Sequence, residues 1–157
     1  MKFRTLAFSL CLTAAALSAA PVLAPVAMAA TASDPVATVE AFHAAMGKGD
    51  ADAVASLMLD DAIIFEQGGA ESSKAEYVES HLPGDIAYSQ GMTDTISSRR
   101  SVVKGGVAWV MTQGRTTGAY EGKAVDRLTV ETMVLKHTRA GWRIAHIHWS
   151  SRAAPAK

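Results

Sequence analysis

Trp142-Arg143-Ile144-Ala145-His146-Ile147-His148-Trp149-Ser150 alternates apolar and polar side chains, and a period of two is the signature of a strand. The alternation sets Ile147 and Trp149 on one face and Trp142, Ile144, His146 and His148 on the other. The same period runs through the sequence before it, giving four expected strands at residues 93–104, 107–118, 123–137 and 142–152. Gly105-Gly106, Glu121-Gly122 and Arg139-Ala140-Gly141 separate them, and links this short make hairpins. Four strands joined so tightly form an antiparallel meander.

Ahead of the meander the spacing becomes helical. Asp34 is placed as an N-cap and Pro35 in the first turn, where a missing N–H costs nothing. Val36, Val39, Phe42 and Met46 then recur at helical spacing until Gly47 and Gly49 stop the run. Asp50 opens a short second helix carrying Val54, Leu57 and Met58, and residues 62–66 form a brief strand closed by Gly68-Gly69. Ser73 with Glu76 has the spacing of a capping box, starting a third helix through Tyr77, Val78, His81 and Leu82. Pro83-Gly84 is expected to break or kink it, with residues 86–88 adding a last turn. Three helices and then a long meander predict an α+β domain, its helices packed on one face of a curved antiparallel sheet.

The chain of 157 residues is 49% hydrophobic and carries 15 Lys+Arg against 15 Asp+Glu. That length suits one domain. Balanced charge argues against nucleic acid, which needs a clustered basic surplus. Residues 1–29 read as a secretory signal: Lys2 and Arg4 at the start, an apolar Ala-rich run over residues 6–17, and a small-x-small site at Ala27-Met28-Ala29. Pro21 and Pro25 interrupt it before it reaches the ~20 residues of a membrane span. Cleavage would remove Cys11 and leave an exported, periplasmic or secreted domain with no cysteine, hence no disulfide or thiolate site. The domain is expected over residues 30–152, with a loose tail at 153–157 and no membrane association after cleavage.

The Trp142–Ser150 string, with Glu131-Thr132-Met133-Val134-Leu135 before it and this order of elements, resembles the nuclear transport factor 2-like superfamily. The resemblance is nearest to its SnoaL-like branch and to the association domain of calcium/calmodulin-dependent protein kinase II. It implies a cone-shaped sheet around a pocket and a homo-oligomer, a dimer or larger, built through the outer face of the sheet. Members include isomerases and cyclases that use a pocket carboxylate, ligand binders and oligomerisation modules, so the fold alone leaves function open. The association domain's pocket arginines fall here on Met111, Met133 and Trp149, which implies a different, uncharged wall.

On that placement Met111, Met133, Ile147, Trp149 and Trp109 line an apolar pocket for a small-molecule ligand, with Glu66 and Tyr88 at its mouth. Glu131 is the candidate catalytic carboxylate, because burial among Trp and Met raises its pKa toward that of a general base. The bland alternative pairs it with Arg127, Arg115 or Arg143. His146 and His148 have metal-ligand spacing but need a third ligand, from His81 or His137, and the pocket methionines with Trp149 offer a soft-cation alternative. The expectation is no metal and no cofactor. No P-loop, dinucleotide fingerprint or serine-hydrolase elbow occurs in the sequence. The chain is therefore expected to be an exported binding domain, with an isomerase- or lyase-type enzyme and a purely structural oligomerisation module as rivals.

Overall fold

A computed structural model describes residues 34–155. The expected signal over residues 1–29 lies outside them. Helix α1 (Pro35–Lys48) starts as the sequence dictates: the Asp34 carboxylate accepts from the Val36 N–H at 2.9 Å, and Gly49 closes the helix at φ 75°. Asp50 caps α2 (Ala51–Ser56) through the Ala53 N–H. Strand β1 (Met58–Glu66) turns back through a hairpin into β2 (Gly69–Glu71). The Ser73 hydroxyl accepts from the Glu76 N–H to start α3 (Lys74–Ser80), and the Glu76 carboxylate accepts from the Ser72 N–H.

Pro83 does not end the helical region. It sits in the first turn of a fourth helix, α4 (Leu82–Gln90), where proline is favoured. The meander is β3 (Met92–Lys104), β4 (Val107–Tyr120), β5 (Lys123–Thr138) and β6 (Gly141–Ala153). Ala153, expected in a loose tail, ends β6, and the Ala154 N–H donates to the Asp126 carbonyl.

The sheet order is β2-β1-β6-β5-β4-β3. Every pairing is antiparallel except β1 with β6, which is parallel. The four-strand meander is antiparallel as expected, and β1 joins its edge in parallel because it reaches the sheet from the helices with no hairpin to β6. The helices cover the concave face of this curved, open sheet.

A bulge decides which side chains face inward. Val134 pairs with His146 and Leu135 with Ile144, so Ala145 is an extra residue on β6. The alternation resets there, and Trp142 and Ile144 join Ile147 and Trp149 on the concave face, against the reading of one unbroken strand. Trp142 is 5% exposed and meets His137 edge-on. His146 and His148 stay on the convex face beside Phe65.

One cross-strand row forms the sheet's share of the core: Val110, Met133, Ile147 and Ile64, all fully buried beneath Phe42, Val39 and Val54. Burial of this kind is worth roughly 1.5–3 kcal/mol per large apolar side chain. The next row on the same face is Thr112, Glu131, Trp149 and Glu66, continued on β3 by Arg99. Within two residues on each strand the face passes from hydrocarbon to polar chemistry. Further along lies Gly114, where a Cβ would sit 2.8 Å from the Thr95 carbonyl oxygen, so glycine permits the close approach of β3 and β4 there. Among the described residues, no helix is long and apolar enough to cross a membrane.

Candidate active site

Above the core rows the concave face opens into a cavity of about 780 Å³, bounded by α1 and α4 on one side and β3 to β6 on the other. Glu131 lines it and is only 9% exposed. One carboxylate oxygen, Oε2, accepts from Trp149 Nε1 at 2.7 Å and contacts His43 Nε2 at 2.8 Å. The other, Oε1, is buried and has no hydrogen-bond partner. Arg99 holds the far end of the row, donating to the Thr112 hydroxyl at 3.1 Å and to Glu40 at 2.9 Å.

Electrostatics follow from these contacts. Burial pushes the Glu131 carboxyl up, but the His43 hydrogen bond and charge, the Trp149 N–H and the Arg99 charge outweigh it and hold it below its ordinary value. Burial pulls the His43 imidazole down, and the Glu131 hydrogen bond and charge more than reverse this, leaving it raised. Each partner therefore favours the charged form of the other, and the neutral ring is gained as the pH rises. The His43 side chain is 39% exposed and lines the cavity. Glu131 is enclosed. Of the pair, His43 is the more exposed partner.

A second titratable group lines the same cavity near β1 and α4. His81 Nδ1 contacts Glu71 Oε1 at 2.5 Å, and Tyr77 donates to Asp85 Oδ2 at 2.7 Å. Burial pushes the Asp85 carboxyl up to about 6, against the opposing Tyr77 hydrogen bond and His81 charge. At the other rim Tyr88 meets Tyr120 edge-on at 5.4 Å, Asp94 accepts from the Thr116 hydroxyl, and Arg127 donates to Ser151.

The residues expected at the site separate into three groups. Glu131, Trp149, Glu66 and Tyr88 line the cavity. Met133 and Ile147 share Glu131's face but lie one row deeper, in the core, and do not line it. Trp109 and Met111 point from the convex face, 38% and 37% exposed. The error at Met111 is one residue of register: Met111 pairs with Thr132, and it is Thr112 that faces Glu131. The wall therefore carries the charged and polar groups Glu131, Thr112 and Arg99 among apolar surface from Trp149, Ile96 and Val125.

Glu131's partner is also not among the three arginines considered. Arg115 pairs with Asp126, Arg127 with Ser151, and Arg143 with the Trp142 carbonyl. His146 Nδ1 contacts the Ile63 carbonyl oxygen at 2.8 Å on the convex face, and neither His81 nor His137 comes to it as a third metal ligand. The residue overlooked in the sequence is His43. Its signal was present: Val36, Val39, His43 and Met46 are spaced 3, 4 and 3, placing an imidazole on the inward stripe of α1.

Comparison with known proteins agrees with this architecture. The profile of the SnoaL-like domain family matches residues 36–155. A protein of Shewanella frigidimarina NCIMB 400, provisionally designated a ketosteroid isomerase, is 33% identical with a TM-score of 0.72, over 77% of this chain and 98% of that one. A provisionally designated dehydratase of the nuclear transport factor 2-like family from Streptomyces avermitilis is 22% identical, with a TM-score of 0.63 over 76% of this chain and 94% of that one. The calcium/calmodulin-dependent protein kinase II hub of S. rosetta is similar at 18% identity, with a TM-score of 0.61 over 74% of this chain and 93% of that one. Among curated proteins none matches the chain in sequence. An open, curved sheet with helices on its concave face and a profile match along nearly all of the described residues place the chain in the SnoaL-like domain family, within the nuclear transport factor 2-like fold.

Proposed function

We propose that the chain is an enzyme of isomerase or lyase type, in which His43 moves a proton to or from a small organic substrate. The observation that carries this reading is the contact of enclosed Glu131 with His43 Nε2, on an imidazole that lines the cavity and stays partly exposed. The arrangement is that of a general base with an orienting carboxylate. Neutral His43 takes a proton from a carbon activated by a neighbouring carbonyl, and Glu131 stabilises the imidazolium that results. The proton then returns to another carbon, giving an isomer, or to a departing hydroxyl, giving an alkene and water. The designations of the Shewanella and Streptomyces proteins, isomerase and dehydratase, both belong to this class of proton transfer.

The test is proton exchange in D2O, followed by NMR, across a panel of small enolisable ketones. The native chain is expected to exchange one activated position, and His43→Ala is expected to lose that exchange. Exchange that survives in His43→Ala overturns the assignment. Ligands that bind without any exchange would return the chain to a binding role.

We further propose an exported homo-oligomer. Lys2, Arg4 and the apolar run after them support export. Ile63, Phe65, Met111 and Val130, each 37–47% exposed on the convex face, support assembly, since small monomers avoid apolar patches of this extent. Sedimentation at micromolar concentration is expected to give a dimer or larger; a monomer would remove the oligomeric reading.

A further inference from the structure

We infer that Glu66, His81 and Asp85 form a binding site for a first-row divalent cation of the Zn²⁺ type, at the edge of the cavity and apart from the His43–Glu131 pair. Glu66 ends β1, His81 lies at the corner between α3 and α4, and Asp85 is one helical turn further on. His81 Nε2 is 3.5 Å from Glu66 Oε2 and 3.5 Å from Asp85 Oδ1, and one atom from each of the three lies within 4.8 Å of the others. The proposal does not rest on the enzymatic reading above.

The spacing carries the inference. At 3.5 Å the imidazole nitrogen is hydrogen-bonded to neither carboxylate, although both are near it. A protonated Nε2 would be expected to close on one of them, to about 2.7–2.9 Å. The two 3.5 Å separations match the roughly 3.3–3.5 Å between tetrahedral ligands about 2.0–2.1 Å from Zn²⁺, and the third pair lies within 4.8 Å, which a small side-chain adjustment can close.

The outer atoms of two ligands are already held. His81 Nδ1 contacts Glu71 Oε1 at 2.5 Å, so the neutral ring donates from Nδ1 and keeps its lone pair on Nε2 for a metal. Tyr77 donates to Asp85 Oδ2 at 2.7 Å, leaving Oδ1 for the shared point. Glu71 Oε2 is buried with no hydrogen-bond partner, so the cluster holds a carboxylate oxygen that the protein leaves uncompensated. Among the described residues, Glu66, Glu71 and Asp85 lie near His81 and form no ion pair with lysine or arginine. One nitrogen with two carboxylate oxygens favours Zn²⁺ or Mn²⁺ over Mg²⁺ or Ca²⁺, which prefer all-oxygen sites. Glu71 and Tyr77 are positioning residues here.

The test is isothermal titration of the chelator-treated protein with Zn²⁺ alone, alongside the melting temperature and far-UV circular dichroism. One Zn²⁺ per chain is expected at micromolar affinity or better, with a rise in Tm and no displacement by Mg²⁺. His81→Gln and Glu66→Gln should each weaken binding at least ~30-fold, and Glu71→Gln about 10–100-fold, the usual effect of losing an outer partner. Glu66 is at a strand end, so its variant reports even if His81→Gln fails to fold. His148→Gln on the convex face should bind Zn²⁺ like the native chain. No binding by the native protein, binding undiminished in Glu66→Gln, or binding lost in His148→Gln would each overturn the site.

Discussion

Glu131→Gln is expected to lower kcat/KM by roughly a hundredfold or more and to move the acid limb of the pH–rate profile to lower pH. The second effect identifies the role. His43 is pulled down by burial and raised above its ordinary value by the Glu131 hydrogen bond and charge. Remove the charge and burial prevails, so the imidazole becomes neutral at lower pH than in the native enzyme. A Glu131 that served only the fold would change stability and leave the position of that limb where it was. A Glu131 that was itself the base would abolish the limb instead of moving it.

Stability should follow the same pair, with signs fixed by the two shifts. Glu131 is held below its ordinary value of 4.5, so its contribution is present above that pH and lost as the pH falls through its lowered pKa. His43 is raised above its ordinary 6.5, so its contribution is complete below that pH and fades as the pH rises through the raised value. The native chain should therefore exceed Glu131→Gln in stability most between about pH 4.5 and 6.5. A difference of about 1–3 kcal/mol is the scale for unpairing a buried charged hydrogen-bond partner. A difference that grows steadily above pH 8 would contradict the pairing.

The turns of the meander were legible because each is short and rich in glycine, and such links allow only hairpins. Helix starts were legible for a similar reason: Asp34, Asp50 and Ser73 each satisfy an N–H that the helix cannot. The fourth helix was obscured by Pro83-Gly84, which reads as a breaker, although proline in a first turn starts a helix. The site was less legible because it depends on register. Alternation states that Glu131 and Met133 share a face, but not that α1 covers Met133 with hydrocarbon and meets Glu131 with the His43 imidazole. A single extra residue at Ala145 also moved Trp142 and Ile144 across the sheet, with no turn residue to announce it. Glu66, Glu71, His81 and Asp85 come together through a β-hairpin and a helix corner, and only the four-residue step from His81 to Asp85 is visible as a spacing.

Met133→Arg is expected to prevent folding, whereas Met111→Arg is expected to leave the fold and the cavity intact. An apolar pocket wall at Met133 would have made the arginine variant a folded protein with a new anion site. The structure predicts otherwise, because Met133 is fully buried between Val110 and Ile147 and under α1. A guanidinium there has no carboxylate in the row to meet it, and an uncompensated buried charge costs at least ~3 kcal/mol. The added volume strains a closely packed layer as well. Against a total stability of about 5–15 kcal/mol for a domain, these losses remove most or all of the folded population. Met111 lies on the convex face and can extend an arginine into solvent, so its variant should melt cooperatively near the native temperature and still bind ligand. If the convex face joins two copies, Met111→Arg will sediment as a smaller species with the cavity unchanged. Circular dichroism melts of the two variants decide the matter: a folded Met133→Arg that binds small carboxylates would return Met133 to the cavity wall and displace the register on which His43 and Glu131 were assigned.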